Sequence, residues 1–242
     1  MSTIIVIPAR MASTRLPGKP LASVGGDAMI VQVWRRAVEA DVGRVVVAAA
    51  DRVIADTVEG AGGEAVMTDH DLRSGSDRVH QALARIDRAD GIDVVVNLQG
   101  DLPTLPPRDL SCVVATLTGS GADIATLAAP TSDEDEALDP NVVKVVVAWN
   151  DGEETGRALC FTRARAPWGE GPLWHHVGIY AFRREALELF VTLPESALER
   201  RERLEQMRAL EAGMSIAVGR VDSVPVGVDT PRDLEQARSF FR

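Results

Sequence analysis

Apolar residues along this chain fall in short continuous runs rather than in polar–apolar alternation. Ile4–Ile7, Arg44–Ala50, Ala65–Met67, Val94–Leu98 and Ile124–Ala128 are rich in Val, Ile and Ala, the pattern of strands covered on both faces of a sheet. Between them, helical patterns run over Met29–Ala40, Asp51–Ala61, Asp77–Ile86 and Pro107–Leu117, punctuated by Gly62-Gly63 and Asp90-Gly91. The alternation predicts an α/β fold on a doubly wound, mostly parallel, Rossmann-like sheet.

Over about residues 133–182 the texture changes. Asn141–Val147 and His176–Phe182 predict strands, separated by loops at Asp151-Gly152 and Pro167–Pro172. Antiparallel strands inserted in a parallel sheet fit this pattern, with Trp168, Trp174 and Phe161 available to cover a partner. One domain over 1–242 with a smaller antiparallel, dimer-forming excursion is therefore expected. Helices Arg184–Thr192 and Ser196–Ala212 and a strand at Ile216–Val218 follow. Thr230-Pro231 then opens a last helix: a hydroxyl cap, proline at the first helical position and acids in the first turn.

With 242 residues, 45% of them hydrophobic, the chain can bury one substantial core. A net charge of −10 argues against a nucleic-acid or anionic-membrane partner, either of which needs a broad basic face. An anionic small substrate stays open, provided that local cations or a metal meet it. No apolar run approaches the length of a membrane span, and no signal-peptide pattern stands at the start, so a cytoplasmic location is expected. Cys112 and Cys160 sit in apolar contexts that suggest buried small hydrophobes rather than a disulfide or zinc ligands.

Composition also singles out a lysine. Of 26 basic residues only two, Lys19 and Lys144, are lysine. In a chain that otherwise uses arginine, Lys19 suggests a task for a compact ammonium that a planar guanidinium does poorly. It lies in the loop after the first strand, with Arg10 and Arg15. There, backbone amides, a following helix's positive end and three cations can converge on a polyphosphate.

A second constellation, Asn97-Leu98-Gln99-Gly100-Asp101-Leu102-Pro103, ends the most hydrophobic strand. It puts Gln99 and Asp101 at a sheet's carboxyl edge, where open α/β sheets bind ligands. A carboxylate there suits Mg²⁺ shared with phosphate oxygens, although a turn-forming Asp beside Gly and Pro explains the same residues. Asp229 is a candidate second metal ligand or a helix cap. Arg73–Arg78 can bind a base edge or a phosphate, or can simply start a capped helix. The four histidines show no metal-ligand spacing.

Taken together, these blocks are similar to the 3-deoxy-manno-octulosonate cytidylyltransferases, the CMP-Kdo synthetases of lipopolysaccharide biosynthesis. The resemblance runs through Pro8–Leu21, Ser74–Arg78, Gln99–Asp101, Pro140–Val145, Arg163 to Trp168, His176–Tyr180, Leu204–Gln206 and Gly227–Pro231. It implies a nucleotidyltransferase that joins CTP to the acidic sugar 3-deoxy-manno-octulosonate (Kdo) with Mg²⁺ and releases pyrophosphate. Arg10, Lys19, Asp101 and Asp229 would be catalytic, with Asp101 and Asp229 holding the metal. Arg10, Arg15, Lys19, Ser74, Gly75, Arg78 and Gln99 would bind the nucleotide. Gln99, Arg163, His176, Tyr180, Glu205 and Gln206 would face the sugar. Leu102 stands where the family often carries an acid. Two other readings remain at this stage: transfer to another acidic sugar, such as a sialic acid or 8-amino-Kdo, and a non-catalytic nucleotide-binding protein of the same fold.

Overall fold

The computed structural model describes residues 1–13, 15–87, 91–149 and 152–241. Thr14, Asp90 and Asp151, each part of a loop named above, lie outside the described residues. The chain forms two compact units, Met1–Ser111 with Pro225–Arg242, and Cys112–Val224. The segment at about 133–182 lies within the second.

The first unit contains strands β1 (Thr3–Ala9), β2 (Ser23–Val24), β3 (Asp27–Ala28), β4 (Arg44–Ala49), β5 (Ala65–Met67) and β6 (Val94–Asn97). β1 pairs in parallel with β4 on one side and β6 on the other, and β4 pairs in parallel with β5. Ile4 to Ile7 and Val94 to Val96 are fully buried, which accounts for their unbroken apolar runs. The short pair β2–β3 is antiparallel.

Helices α1 (Met29–Glu39), α2 (Arg52–Gly60) and α3 (Gly75–Ile86) connect these strands. α1 turns Met29, Ile30, Val33 and Ala37 inward. α3 begins at a capping box in which the Ser74 hydroxyl accepts from the Asp77 amide and the Asp77 carboxylate accepts from the Ser74 amide. Helix α4 (Pro107–Ser120) runs past the limit of this unit.

The second unit carries β7 (Ile124–Thr131), β8 (Lys144–Trp149), β9 (Thr155–Thr162), β10 (Leu173–Arg183) and β11 (Ile216–Arg220). Among the described pairings here only β7–β11 is parallel; β10–β7, β10–β8, β11–β9 and β8–β9 are antiparallel. The sheet is therefore mixed, which corrects the expectation of a mostly parallel, doubly wound sheet. β9 escapes a reading by hydrophobicity because Thr155, Gly156 and Arg157 open it and leave an apolar run of only Ala158–Phe161.

This unit also contains helices α5 (Glu134–Leu138), α6 (Arg184–Thr192), α7 (Ala197–Glu202) and α8 (Met207–Glu211). The single helix expected over Ser196–Ala212 is broken into α7 and α8 because Arg203 adopts the left-handed conformation, φ 56°. Helix α9 (Pro231–Phe240), back in the first unit, starts with Thr230 as cap and Pro231 in the first turn, as expected.

Two side chains assigned to a partner surface are internal. Phe161 is fully buried edge-on against the His176 ring, and Trp174 is buried beside Trp149. Trp168 alone of the three is open, 97% exposed. Cys112 and Cys160 are half-buried and form no disulfide, so neither is the fully buried residue that its context suggested.

Candidate active site

The first unit brings its chemistry to the carboxyl ends of β1 and β6. β1 ends at Ala9 and delivers Arg10, while β6 ends at Asn97 and delivers Gln99 and Asp101. The two chain segments pass closely. A Cβ built on Gly100 would come within 3.1 Å of the Pro8 carbonyl oxygen and 3.2 Å of Ile30 Cδ1, so any side chain there would press on its neighbours and glycine eases the approach. Gln99 is oriented by its neighbours: its Nε2 donates to Asn97 Oδ1 at 3.1 Å, and Asn97 donates in turn to Ser76 Oγ.

Gly18, at φ 71°, turns the loop into a short 3₁₀ turn, Lys19–Leu21. That turn aims Lys19 at two carboxylates. Lys19 Nζ donates to Asp101 Oδ2 at 2.7 Å and to Asp229 Oδ1 at 2.9 Å. Arg15 reaches the other oxygen of Asp229 at 3.0 Å. Burial disfavours the Lys19 charge, but attraction and hydrogen bonds from Asp101 and Asp229 outweigh it and hold the lysine pKa above its ordinary value.

Asp229 arrives beside Asp101 because the Val228 amide donates to the Asp101 carbonyl at 2.9 Å. Val228 is itself fully buried in a cluster with Val24, Met29, Leu234 and Ala237. Capping of α9 falls to Thr230 and Asp233, whose carboxylate accepts from the Asp229 and Thr230 amides. The Asp229 carboxylate is thereby left to the cations, and the helix-cap reading of it is set aside.

Arg10, Arg15, Lys19, Ser74, Gly75, Arg78, Gln99, Asp101 and Asp229 line one cavity of about 700 Å³, a size in the range of small-molecule sites. Arg78 is one of the lining residues. The guanidinium is buried and donates to Thr68 Oγ1 at 2.5 Å, the Asp69 carbonyl at 2.9 Å and the His70 carbonyl at 3.3 Å. Burial and the nearby Arg10 charge push its pKa down. Its geometry is that of an anchor for the Asp69–His70 loop, whereas Arg10 and Arg15 are exposed.

The second unit holds the other candidates. His176 is buried, with Nε2 2.9 Å from Thr126 Oγ1 and its ring 5.5 Å from that of Tyr180. Burial, aided by the neighbouring His175, pushes the His176 pKa down to about 3, so the ring is neutral at neutral pH. Burial and the Glu205 charge push the Tyr180 pKa well up. Gln206 is buried. Arg163 gives its guanidinium to backbone: Nε to the Glu202 carbonyl at 2.8 Å, Nη1 to that of Pro140 at 2.8 Å and Nη2 to that of Arg203 at 3.4 Å.

A family model described as cytidylyltransferase matches residues 4–216. A 3-deoxy-manno-octulosonate cytidylyltransferase of Parvibaculum lavamentivorans is 63% identical over 236 residues, covering 98% of this chain and 91% of that protein. Another, of Rhodospirillum centenum, is 60% identical over 238 residues, covering 98% and 93%. The chain belongs to the 3-deoxy-manno-octulosonate cytidylyltransferase family.

A solved CMP:2-keto-3-deoxy-manno-octonic acid synthetase complexed with CTP matches with a TM-score of 0.91 and 38% identity, over 99% of this chain and 98% of that one. A UTP-bound UGPase of Acinetobacter baumannii matches with a TM-score of 0.72 and 16% identity over 100% and 93%, a likeness of fold alone. Among the described residues of this family member no helix is long and apolar enough to cross a membrane.

Charge counting along the sequence missed that Lys144, Arg78 and Arg163 donate to main-chain carbonyls. Spacing carries no signal for that, because the acceptors belong to the backbone. The Pro140–Val145 block showed in the sequence as part of a strand over Asn141–Val147, and only the resemblance tied it to the site.

Proposed function

We propose that this chain transfers the cytidylyl group of CTP to Kdo, forming CMP-Kdo and pyrophosphate for lipopolysaccharide biosynthesis. The observation that carries the reading is the convergence of Arg10, Arg15 and Lys19 with Asp101 and Asp229 on one cavity, in a chain of this family. The sugar hydroxyl attacks the α-phosphorus, and the bond to the pyrophosphate oxygen breaks. Positioning and charge neutralisation dominate such a transfer. Arg10 and Lys19 act on the leaving pyrophosphate and Arg15 on the triphosphate. Ser74, Gly75, Arg78 and Gln99 shape the cytidine side, Arg78 by holding the Asp69–His70 backbone.

Asp101 and Asp229 fit Mg²⁺. Both carboxylates already reach one cation, the Lys19 ammonium, and hard oxygen donors of this kind bind Mg²⁺ together with substrate phosphates. Among the described residues no group of three or more acidic, His or Cys side chains could hold a metal, which favours a nucleotide-shared ion over an all-protein cage. When bound, the ion supplies charge neutralisation and lowers the pKa of the attacking hydroxyl.

Gln99, Arg163, His176, Tyr180, Glu205 and Gln206 face the sugar in this reading. Neutral His176 serves as a hydrogen-bonding group there and carries no charge to the sugar carboxylate. A homodimer formed through the second unit would cover Trp168, and the enzyme would work in the cytoplasm with small-molecule substrates alone. Steady-state turnover of CTP with Kdo, N-acetylneuraminate and 8-amino-Kdo tests the sugar assignment: Kdo is expected to give the highest kcat/KM, and preference for either rival overturns it.

A further inference from the structure

Lys144, the second of the chain's two lysines, is fully buried at the start of β8. Its ammonium has three N–H groups and three acceptors: the carbonyls of Asp139 at 2.9 Å, Val142 at 2.6 Å and Arg163 at 2.9 Å. The ammonium is spent on main chain and leaves no donor for a ligand. Burial lowers its pKa and the Asp139 charge opposes this. A guanidinium cannot take this place without moving the carbonyls, since three acceptors around one point suit a compact ammonium and not a planar fork.

What the cage holds matters more than the cage. Lys144 fixes the Arg163 carbonyl, and the Arg163 side chain holds the Pro140, Glu202 and Arg203 carbonyls. The Glu202 carboxylate in turn accepts from the Arg163 amide at 3.0 Å and from Thr162 Oγ1. Arg203 is the left-handed residue that breaks the helix, and Glu205 and Gln206 follow it after Leu204. On the other side of the cage, the His176 amide donates to the Val143 carbonyl at 2.9 Å. One buried cation thus ties together the backbone ahead of Glu205 and Gln206 and the backbone that bears His176.

We propose that Lys144 is a positioning residue for the sugar side of the reaction, an internal cation that, with Arg163 as its relay, holds the Arg203–Gln206 turn and the Val143–His176 contact in register. The proposal rests on the sugar-side assignment made above. It also gives Arg163, on the sugar side in that assignment, a backbone-holding task.

Lys144→Met keeps an unbranched chain of similar length and removes the three donors. In the full-length enzyme it is expected to raise the KM for Kdo about tenfold or more while the KM for CTP stays within about twofold. Hydrogen exchange supplies a readout that needs no substrate: the amides of residues 203–206 are expected to exchange about tenfold faster, and those of the Arg10–Lys19 loop at the parent rate. Equal rises in both KM values, or unchanged exchange at 203–206, would overturn the proposal. Where Lys144→Met does not fold, Arg163→Met tests the relay alone, and faster exchange at 203–206 separates holding the backbone from touching the sugar. If the parent enzyme releases no pyrophosphate from CTP and Kdo, the functional reading fails, while the exchange comparison still decides the role of Lys144.

Discussion

The Val228 amide donates to the Asp101 carbonyl at 2.9 Å, joining two segments that are distant in sequence. This backbone bond survives any change to the Asp101 side chain. It therefore separates the chemistry of the Asp101 carboxylate from the placement of Asp229.

Asp101→Asn is expected to lower kcat about a hundredfold or more, with a Tm within about 4 °C of the parent. The backbone bond keeps Asp229 in place while one charged ligand is lost. Near-parental turnover at saturating Mg²⁺ would remove Asp101 from the metal site.

Because Asp101 and Asp229 converge on one cation, their losses should not multiply. The double variant Asp101→Asn/Asp229→Asn is expected to be no slower than about twice the loss of the worse single variant. Fully multiplicative losses in kcat would show that the two carboxylates serve separate tasks.

Lys19→Arg keeps the charge and changes the shape. The Lys19 side chain is 15% exposed and sets its ammonium between two carboxylates, where a planar fork cannot approach both oxygens from the same direction. A loss of about tenfold or more in kcat/KM for CTP is expected, and an unchanged value would remove the argument from lysine scarcity.

His176 links stability to pH. Its folded pKa of about 3 lies below the ordinary 6.5, so the unfolded chain binds a proton that the folded one refuses between those values. The neutral ring's contribution is full above 6.5 and is lost as pH falls toward about 3. The pH slope of unfolding free energy over this window should be smaller in His176→Gln by up to about 1.4 kcal/mol per pH unit. Denaturant titrations at several pH values give the slope, and identical slopes would place the proton elsewhere.

Much of this was legible in the chain. Ile4–Ile7 and Val94–Val96 announce buried parallel strands, and Thr230-Pro231 announces a capped helix, because burial on both faces and capping leave local signatures. The change of texture over about 133–182 pointed to antiparallel strands, as β8, β9 and β10 pair, but the antiparallel pairing of β10 with β7 and of β9 with β11 left no signature, since strand direction is decided by connections rather than by composition. The break at Arg203 was hidden for a similar reason: a left-handed arginine looks like any helical arginine until its carbonyl is seen held by Arg163. Of the site, the three cations of the first loop and the two carboxylates were visible as residue types, but not that Lys19 bridges Asp101 and Asp229. Spacing along a chain does not encode distances across 210 residues.

The most direct test of the account is pyrophosphate release by the purified protein with Mg²⁺, measured with CTP alone, Kdo alone and both together. Release that requires both substrates, with CMP-Kdo formed in equal amount, is the predicted result. No release with both present, or equal release from CTP alone, would contradict it.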